Sequence, residues 1–336
     1  MKMKTIAAAL CIASCSLPTA EAQSIIDVHC HNVQASYMEF LREHDALLEE
    51  GFPIPSWDVK EHLRMMDENG IACAVLSMPA PQPFYGNVAE SKKIVRRYNN
   101  ETAAIKRQWK GRFKFCASLP LPDVGAAVSE AVYALDTLHA DGIKLATNSR
   151  GQYLGDPALD TLMAVLNERH AVIILHPHKP VPVNIEFMQA IPLAVYDYPV
   201  ETTRAVINMI THNVPSRYPN LRFVIPHCGS FLPLALTRMR NLLPIVQQAG
   251  RMKGVDIDGN MKNFYYDLAG SVTPDVLQSL LTITTTDRLL FGSDYPYVKH
   301  DGVKGFLEKL HHALPSGNKE VEENILSGNA RILFGQ

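Results

Sequence analysis

The sequence predicts a single α/β domain folded as a (β/α)8 barrel. The chain has 336 residues, of which 47% are apolar, and this is enough for one large core. Eight short apolar segments, each ending in turn or polar residues, alternate with segments of helical periodicity. The apolar segments are continuous, as expected of parallel strands that are buried on both faces. Strands and helices that alternate in this way are typical of a TIM barrel.

The elements follow in order along the chain. The predicted strands are residues 24–29, 72–79, 112–120, 142–147, 171–178, 221–229, 263–270 and 288–296. The predicted helices are residues 58–69, 88–109, 156–170, 199–213, 232–248, 274–284, 302–313 and 319–332. A doubly wound open sheet is the alternative fold. It usually has a Gly-rich phosphate-binding turn after the first strand, and IIDVHCHN at 25–32 has no such turn.

Two long segments are predicted at the carboxyl end of the barrel. Residues 32–57 contain Gly51, Pro53 and Pro55 and are interpreted as a lid-like loop after strand one. Residues 179–198 form a second insertion at the same end. Loops at this end build the pocket of a barrel enzyme.

The first 22 residues predict a signal peptide. MKMK is a basic start, residues 5–17 are apolar but too short to span a bilayer, and residues 20–22 form an A-x-A cleavage site. The domain division is therefore 1–22 for the signal peptide and 23–336 for the barrel. Lipidation at Cys15 is an alternative and would add a membrane anchor. Both interpretations predict an exported protein, periplasmic or secreted; an uncleaved cytosolic helix is the remaining alternative.

Charge and cysteine content exclude several classes of protein. The formal net charge is −2, which offers no basic stripe for nucleic acid. Cysteines 30, 73, 116 and 228 are scattered, and no C-x-x-C motif appears. These four are predicted to be buried thiols rather than a zinc knuckle or a disulfide framework.

Residues that can bind metal fall at the carboxyl ends of four predicted strands. They are His29 and His31 after strand one, His176 and His178 after strand five, His227 after strand six, and Asp294 after strand eight. Residues two apart in a strand point the same way, so His29 and His31 can face one point on the barrel axis. Imidazoles with a carboxylate suit zinc, with manganese as the alternative. An isolated H-x-H pair would not carry this prediction.

The sequence resembles the amidohydrolase-related barrels. The motifs are D-x-H-x-H at 27–31, W-D-x(5)-R-x-M-D at 57–67, HP at 176–177, H-x-G at 227–229, GSDYP at 292–296 and NARILF at 329–334. Within that family the chain resembles the 2-amino-3-carboxymuconate-6-semialdehyde decarboxylase group. It is also similar to 6-methylsalicylate decarboxylases, through LATNSRGQYLGDP at 145–157, ILHPHKP at 174–180 and PVETTRAV at 199–206.

The resemblance implies a role for each matched residue. His29, His31, His176 and Asp294 would hold one divalent metal ion, and His227, together with Asp294, would be catalytic. Arg238 would reach across a homodimer interface toward a substrate carboxylate. His178 stands where the family often has an aromatic residue, so we expect it to line the pocket or support a ligand.

Several further residues allow two interpretations. Trp57, Phe84 and Tyr153 could line an aromatic pocket for the substrate, or could simply pack in the core. Lys144 at strand four could be a carboxylated bridge between two metals or part of a structural salt bridge. Histidines 44, 62, 139, 170, 212, 300, 311 and 312 fall on predicted helices or loops and are expected to be solvated.

The function implied by the resemblance is non-oxidative decarboxylation of an aromatic or unsaturated carboxylic acid, a small-molecule substrate. Metal-dependent hydrolysis of a lactone, ester or amide is the alternative, since the same ligands can activate a water. An exported binding protein on a barrel scaffold is the third possibility. It would not need a metal set together with a free histidine.

Overall fold

The protein is described here from a computed structural model, which covers residues 24–183, 186, 191–270, 272–314 and 318–335. The predicted signal peptide and Cys15 lie outside the described residues. The barrel strands are β1 (Ile25–His31), β2 (Ile71–Ser77), β3 (Phe113–Ser118), β4 (Gly142–Ala146), β5 (Val172–His176), β6 (Arg222–Ile225), β7 (Phe264–Asp267) and β8 (Leu289–Leu290). They form one parallel sheet in sequential order, and this confirms the predicted barrel.

The barrel closes between the segment after β8 and β1. The amide of His31 donates to the carbonyl of Tyr295 at 2.8 Å, and the amide of Asp294 donates to the carbonyl of His29 at 2.8 Å. The amide of Val28 likewise donates to the carbonyl of Phe291, at 2.9 Å. The closure therefore brings Asp294 against the two histidines of β1.

The helices surround the sheet. They are α1 (Ala35–Glu43), α2 (Val59–Glu68), α3 (Val88–Gln108), α4 (Val124–Val132), α5 (Asp160–Glu168), α6 (Leu193–Thr211), α7 (Val214–Arg217), α8 (Leu232–Gln248), α9 (Ile257–Met261), α10 (Pro274–Leu280), α11 (His300–Ala313), α12 (Lys319–Glu323) and α13 (Asn329–Phe334). None of the described helices combines the length and the apolar character that a membrane span requires.

Several helix assignments differ from the sequence prediction. The segment predicted as a lid-like loop contains α1, whose Tyr37 and Leu41 are buried in a cluster that includes residues of α3. A short helix such as α1 is stabilised by tertiary packing more than by its own propensity, so its sequence carried little signal. α4, α7 and α9 had no predicted counterpart, and α6 begins at Leu193, inside the predicted insertion 179–198. The last predicted helix is interrupted by a π-helical turn at Asn324–Gly328.

The inner core of the barrel ends below the two histidines of β1. Ile26 and Val28 belong to a buried cluster with side chains from β2, β3, β5, β6, β7 and β8. The pairing of β1 with β2 is irregular between Asp27 and Cys30. A local irregularity of this kind can redirect the side chains that follow it. His29 and His31 then lie at the mouth of the barrel.

His62 corrects one sequence expectation. It was expected to be solvated, but it is fully buried, and its Nδ1 accepts a hydrogen bond from the indole of Trp57 at 2.9 Å. Burial lowers the pKa of His62 to about 3, so it is a neutral core residue. The four scattered cysteines are free and buried, as expected.

We predict that Gly292→Ala destabilises the protein. A Cβ at this position would lie 2.6 Å from the Cβ of His29 and 3.3 Å from that of Ala269. Overpacking of this kind costs about 1–3 kcal/mol, measurable as the free energy of unfolding of the metal-free protein in denaturant. The matched control is Gly305→Ala in α11, where a new Cβ meets nothing within 4 Å. That variant should gain up to about 1 kcal/mol from helix propensity, and equal stability of both variants would contradict the account.

Candidate metal centre

Three histidines and one aspartate meet at the mouth of the barrel. His29, His31 and His176 each offer a ligand atom, and these atoms lie within 4.8 Å of one another. Nε2 of His31 is 3.3 Å, and Nε2 of His29 is 3.6 Å, from Oδ1 of Asp294. All three imidazoles are at most 5% exposed. The structure thus brings together the four residues that were predicted as ligands.

The inner nitrogen of each β1 histidine is left without a partner. Nε2 of His29 and Nε2 of His31 are buried and have no hydrogen bond, which is costly for a polar atom. Their outer nitrogens are engaged: Nδ1 of His29 donates to Asp267 Oδ2 at 2.9 Å, and Nδ1 of His31 lies 3.1 Å from the hydroxyl of Ser77. His176 donates in the same manner to the carbonyl of Pro177 at 2.8 Å. A proton held at Nδ1 leaves the Nε2 lone pair free for a metal.

The charge distribution also fits a divalent cation. Burial lowers the pKa of His31 and that of His176, so both are neutral and can donate a lone pair. Burial alone would raise the pKa of Asp294, but its close approach to His31, together with the charge of His29 and His227, lowers it instead. Burial likewise opposes protonation of His29, yet the Asp267 carboxylate raises its pKa to about 9. The cluster therefore combines one carboxylate with two neutral imidazoles, and a bound cation would displace the proton from Nε2 of His29.

Asp267 was not identified from the sequence. It ends β7 and is fully buried. Its Oδ2 holds His29, while its Oδ1 accepts the backbone amides of His227 and Ala269, each at 3.1 Å. One carboxylate therefore orients a candidate ligand and the segment that carries His227. Its position at the end of a predicted strand, like that of Asp294, was the signal that could have revealed it.

Asp27 fixes the backbone beside the site. Its carboxylate accepts the backbone amides of His29 and Ser293, at 3.1 and 3.0 Å, and the hydroxyl of Ser293 at 2.5 Å. These bonds tie β1 to the segment after β8. Asp27 thus contributes to barrel closure and to the placement of His29 at once.

His227 stands beside the cluster on a tight left-handed turn. Both His227 and Cys228 have positive φ, 56° and 54°, and Asp294 has φ of 59°. Such residues are strained and persist where the surrounding structure holds them, which is frequent at functional sites. Nε2 of His227 is 3.9 Å from Oδ2 of Asp294, and burial lowers the pKa of His227. A group formed by His29, His227 and Asp294 could also hold an ion, so a ligand role for His227 is the alternative.

A cavity of about 250 Å³ lies above the cluster. Among the described residues, His176, His227 and Asp294 line it at the barrel end. The rest of its lining is mostly apolar, with Leu47, Phe52, Ile54, Ala80, Val195 and Pro199. Glu49, Glu50, Tyr198 and Tyr297 add polar atoms. An apolar cavity with a few polar groups is the usual form of a small-molecule site.

The residues predicted to bind substrate are spread more widely. Trp57, Phe84 and Tyr153 are not among the described residues that line this cavity. Trp57 bonds to His62, Phe84 lies against the guanidinium of Arg150, and the hydroxyl of Tyr153 donates to Glu201 at 2.5 Å. Their binding of substrate stays a prediction.

The structure places three further residues singled out from the sequence in different surroundings: Arg238, His178 and Lys144. Arg238 is exposed on α8, outside the cavity lining, so its predicted role depends on a second subunit. His178 is buried beside Glu50. Lys144 is buried and has no carboxylate within ion-pair distance among the described residues, and burial lowers its pKa to about 8.

Comparison with known proteins places the chain. The family model described as amidohydrolase matches residues 26–336. The chain belongs to the amidohydrolase family. A decarboxylase from Aspergillus niger is 32% identical over 326 residues, covering 92% of this chain and 87% of the relative. 6-Methylsalicylic acid decarboxylase from Penicillium expansum is 30% identical over 314 residues, covering 92% and 95%.

A solved structure agrees with these relatives. The crystal structure of a protein named amidohydrolase II superposes with a TM-score of 0.87 at 32% identity, covering 93% of this chain and 100% of that chain. The predicted family and the predicted enzyme class, a decarboxylase of the amidohydrolase superfamily, are confirmed.

We predict that Asp267→Asn weakens metal binding. The amide is isosteric, but it cannot hold His29 and accept two backbone amides as the carboxylate does. Loss of a group that orients a ligand typically costs 10- to 100-fold in metal affinity. The measurement is a titration of zinc against a competing chelator. Asp258→Asn, whose side chain is 81% exposed, is the matched control and should bind zinc as the wild type does. Unchanged affinity in Asp267→Asn would show that His29 is positioned by other contacts.

Proposed function

We propose that the chain catalyses metal-dependent, non-oxidative decarboxylation of a small hydroxylated aromatic acid, of the 6-methylsalicylate class. One observation carries this proposal: two buried, unpartnered imidazole nitrogens face a carboxylate at the end of a mostly apolar cavity. The converging lone pairs suit a cation, and the apolar walls suit an aromatic ring. The named activity of the Penicillium expansum relative supports the substrate class.

His29, His31, His176 and Asp294 would hold the metal ion. Zinc is proposed because the donor set is three imidazoles and one carboxylate; manganese is the alternative. When bound, the ion supplies a positive charge that binds an acidic substrate and withdraws electron density from it.

His227 and Asp294 would deliver the proton. The bond between the ring carbon and the carboxylate breaks, carbon dioxide leaves, and the electron pair stays on the ring carbon, which must gain one proton. Nε2 of His227 and Oδ2 of Asp294 are 3.9 Å apart and both residues line the cavity, so a proton can pass between them through one bridging water. In the alternative hydrolytic reaction, His227 would instead take a proton from water.

The assembly proposed is a homodimer. Leu234, Leu242 and Ile245 are exposed on α8, by 75%, 40% and 63%, and Arg238 lies among them. Their spacing puts these four residues on one side of the helix. Exposed apolar patches of this kind commonly mark protein interfaces. A second subunit that packs against this surface would place its own Arg238 in the interface between the two subunits.

Export is proposed on the sequence alone. Residues 1–22 have the basic start, the apolar segment and the A-x-A site of a signal peptide. The mature protein would begin at Gln23 and be periplasmic or secreted, with a lipid anchor at Cys15 as the alternative.

We predict that His227→Ala retains its metal but loses turnover. The wild type should convert 2-hydroxy-6-methylbenzoate to 3-methylphenol with one carbon dioxide released per product. Removal of a positioned acid or base lowers the rate by about 10²- to 10⁴-fold. Metal content, melting temperature and carbon dioxide release are measured on one preparation of each variant.

The control is His312→Ala, on the exposed side of α11, which should match the wild type. Metal loss in proportion to activity would make His227 a ligand. Near-normal turnover would end its catalytic assignment. Hydrolysis of lactones, with no carbon dioxide from any hydroxybenzoate, would contradict the proposed function.

We predict that Leu234→Glu weakens the dimer. A charge in the centre of an apolar interface is costly to bury. Sedimentation should show a dimer for the wild type and a shift toward monomer for the variant, with activity falling in parallel. Ile332→Glu, which is at a position 78% exposed on α13, is the matched control. A wild-type monomer with full activity would remove both the dimer and the role of Arg238.

A further inference from the structure

Glu50 is a buried carboxylate that the proposed chemistry does not use. It lies between α1 and α2, is 5% exposed and lines the cavity. Both of its oxygens are buried and have no hydrogen-bond partner. Nδ1 of His178 is 2.5 Å from Oε1, an ion-pair distance, although the alignment leaves both atoms without a hydrogen bond. A buried carboxylate oxygen without a hydrogen bond lowers the stability of the protein unless a donor reaches it.

Two tyrosines line the cavity with Glu50 and lie close to the metal ligands. The ring of Tyr198 is 6.1 Å from that of His176, and the ring of Tyr297 is 5.7 Å from that of His31. Burial raises the pKa of both tyrosine hydroxyls; after burial, the charge of Glu50 raises that of Tyr198, and the charges of Asp294 and then Glu50 raise that of Tyr297. Glu50 therefore acts on the same cavity as the metal centre.

A second metal site is the competing explanation of this cluster. Ligand atoms of Glu49, Glu50 and His178 lie within 4.8 Å of one another. However, the carboxylate of Glu49 is already engaged by the ammonium of Lys179 and the hydroxyl of Tyr85. A neighbouring ammonium opposes the binding of a cation. The unpartnered oxygens of Glu50 are better suited to a neutral hydrogen-bond donor.

We propose that Glu50 accepts a hydrogen bond from a second hydroxyl of the aromatic substrate, at a ring position away from the reacting carboxylate. This inference rests on the proposed function. A substrate bound to the metal by its carboxylate would extend its ring along the apolar walls, and a second hydroxyl would donate to Oε2 of Glu50, the oxygen that has neither a hydrogen bond nor the ion pair with His178. An ionised carboxylate has only acceptor sites, so it selects donors.

The same residue would exclude a second carboxylate on the substrate. Two carboxylates close together in a buried site repel each other, and one must take up a proton. Within the 6-methylsalicylate class, substrates with a second ring hydroxyl are therefore preferred over those with one hydroxyl, and benzenedicarboxylic acids are disfavoured. Glu50 would thus determine specificity, while the metal ligands would be shared by all substrates.

The first test measures binding without turnover. Calorimetry compares phenol with benzene-1,2-diol, benzene-1,3-diol and benzene-1,4-diol on the zinc-loaded wild type, Glu50→Leu, Glu50→Gln and Glu168→Gln, whose side chain is 75% exposed. A hydrogen bond to a charged group is worth roughly 10- to 100-fold in affinity. We expect at least one diol to bind the wild type that much more tightly than phenol. The preference should nearly vanish in Glu50→Leu, fall in Glu50→Gln and persist in the control Glu168→Gln.

The second test measures carbon dioxide release from 2-hydroxybenzoate and the four 2,n-dihydroxybenzoates. The same preference should appear in kcat/KM and be lost on substitution of Glu50. No diol preference in the wild type, or an unchanged preference in Glu50→Leu, would overturn the inference. If Glu50→Leu fails to fold, the test is made on Glu50→Gln, in which an unchanged diol preference would overturn the inference.

Two outcomes separate the inference from the proposals around it. A diol preference that depends on Glu50, in a protein that decarboxylates no hydroxybenzoate, would refute the proposed function and leave the binding role of Glu50 intact. A second equivalent of zinc that is lost in Glu50→Gln would overturn the inference in favour of a metal site.

Discussion

The carboxylate of Asp267 is the contact on which the rest of the site depends. It joins three segments that are remote in sequence, because one oxygen holds the imidazole of His29 on β1 and the other holds the amide of His227 after β6. Asp27 makes the matching connection across the barrel seam, from β1 to Ser293. Barrel closure and orientation of the candidate ligands are therefore one arrangement. A change that loosens the seam should also loosen the metal centre, because the amide of Asp294 is bonded to the carbonyl of His29.

Much of this arrangement was readable in the sequence, because it follows from local patterns. Continuous apolar segments gave the strands, and the i, i+2 spacing of His29 and His31 placed both at one strand end. Asp267 was not identified from the sequence, because a single carboxylate at the end of a strand can equally be a strand-end cap. Glu50 and His62 were not identified for a different reason. The position of Glu50 depends on the packing of α1, and no local sequence pattern predicts that packing. His62 lies on a helix with polar neighbours, but its side chain is buried in the core.

The cavity has two polar regions joined by apolar walls. At one, the neutral imidazoles of His31 and His176 and an ionised Asp294 contribute to a site for a cation, and His227 stands at its edge on a strained turn. At the other, the oxygens of Glu50 have no hydrogen bond. Metal ligands of this kind support several reactions, so the selection of substrate rests on the walls and on the second polar region. Glu50 lies in the long segment between β1 and β2, and Tyr198 lies in the segment that follows β5.

The position of a bound divalent ion tests this account most directly. The measurement is an anomalous difference map from crystals of zinc-loaded protein, recorded on both sides of the zinc absorption edge. The account predicts one strong peak per chain, bounded by Nε2 of His29, Nε2 of His31, His176 and the carboxylate of Asp294. A peak held instead by Glu49, Glu50 and His178, or no peak at the mouth of the barrel in zinc-loaded crystals, would contradict it.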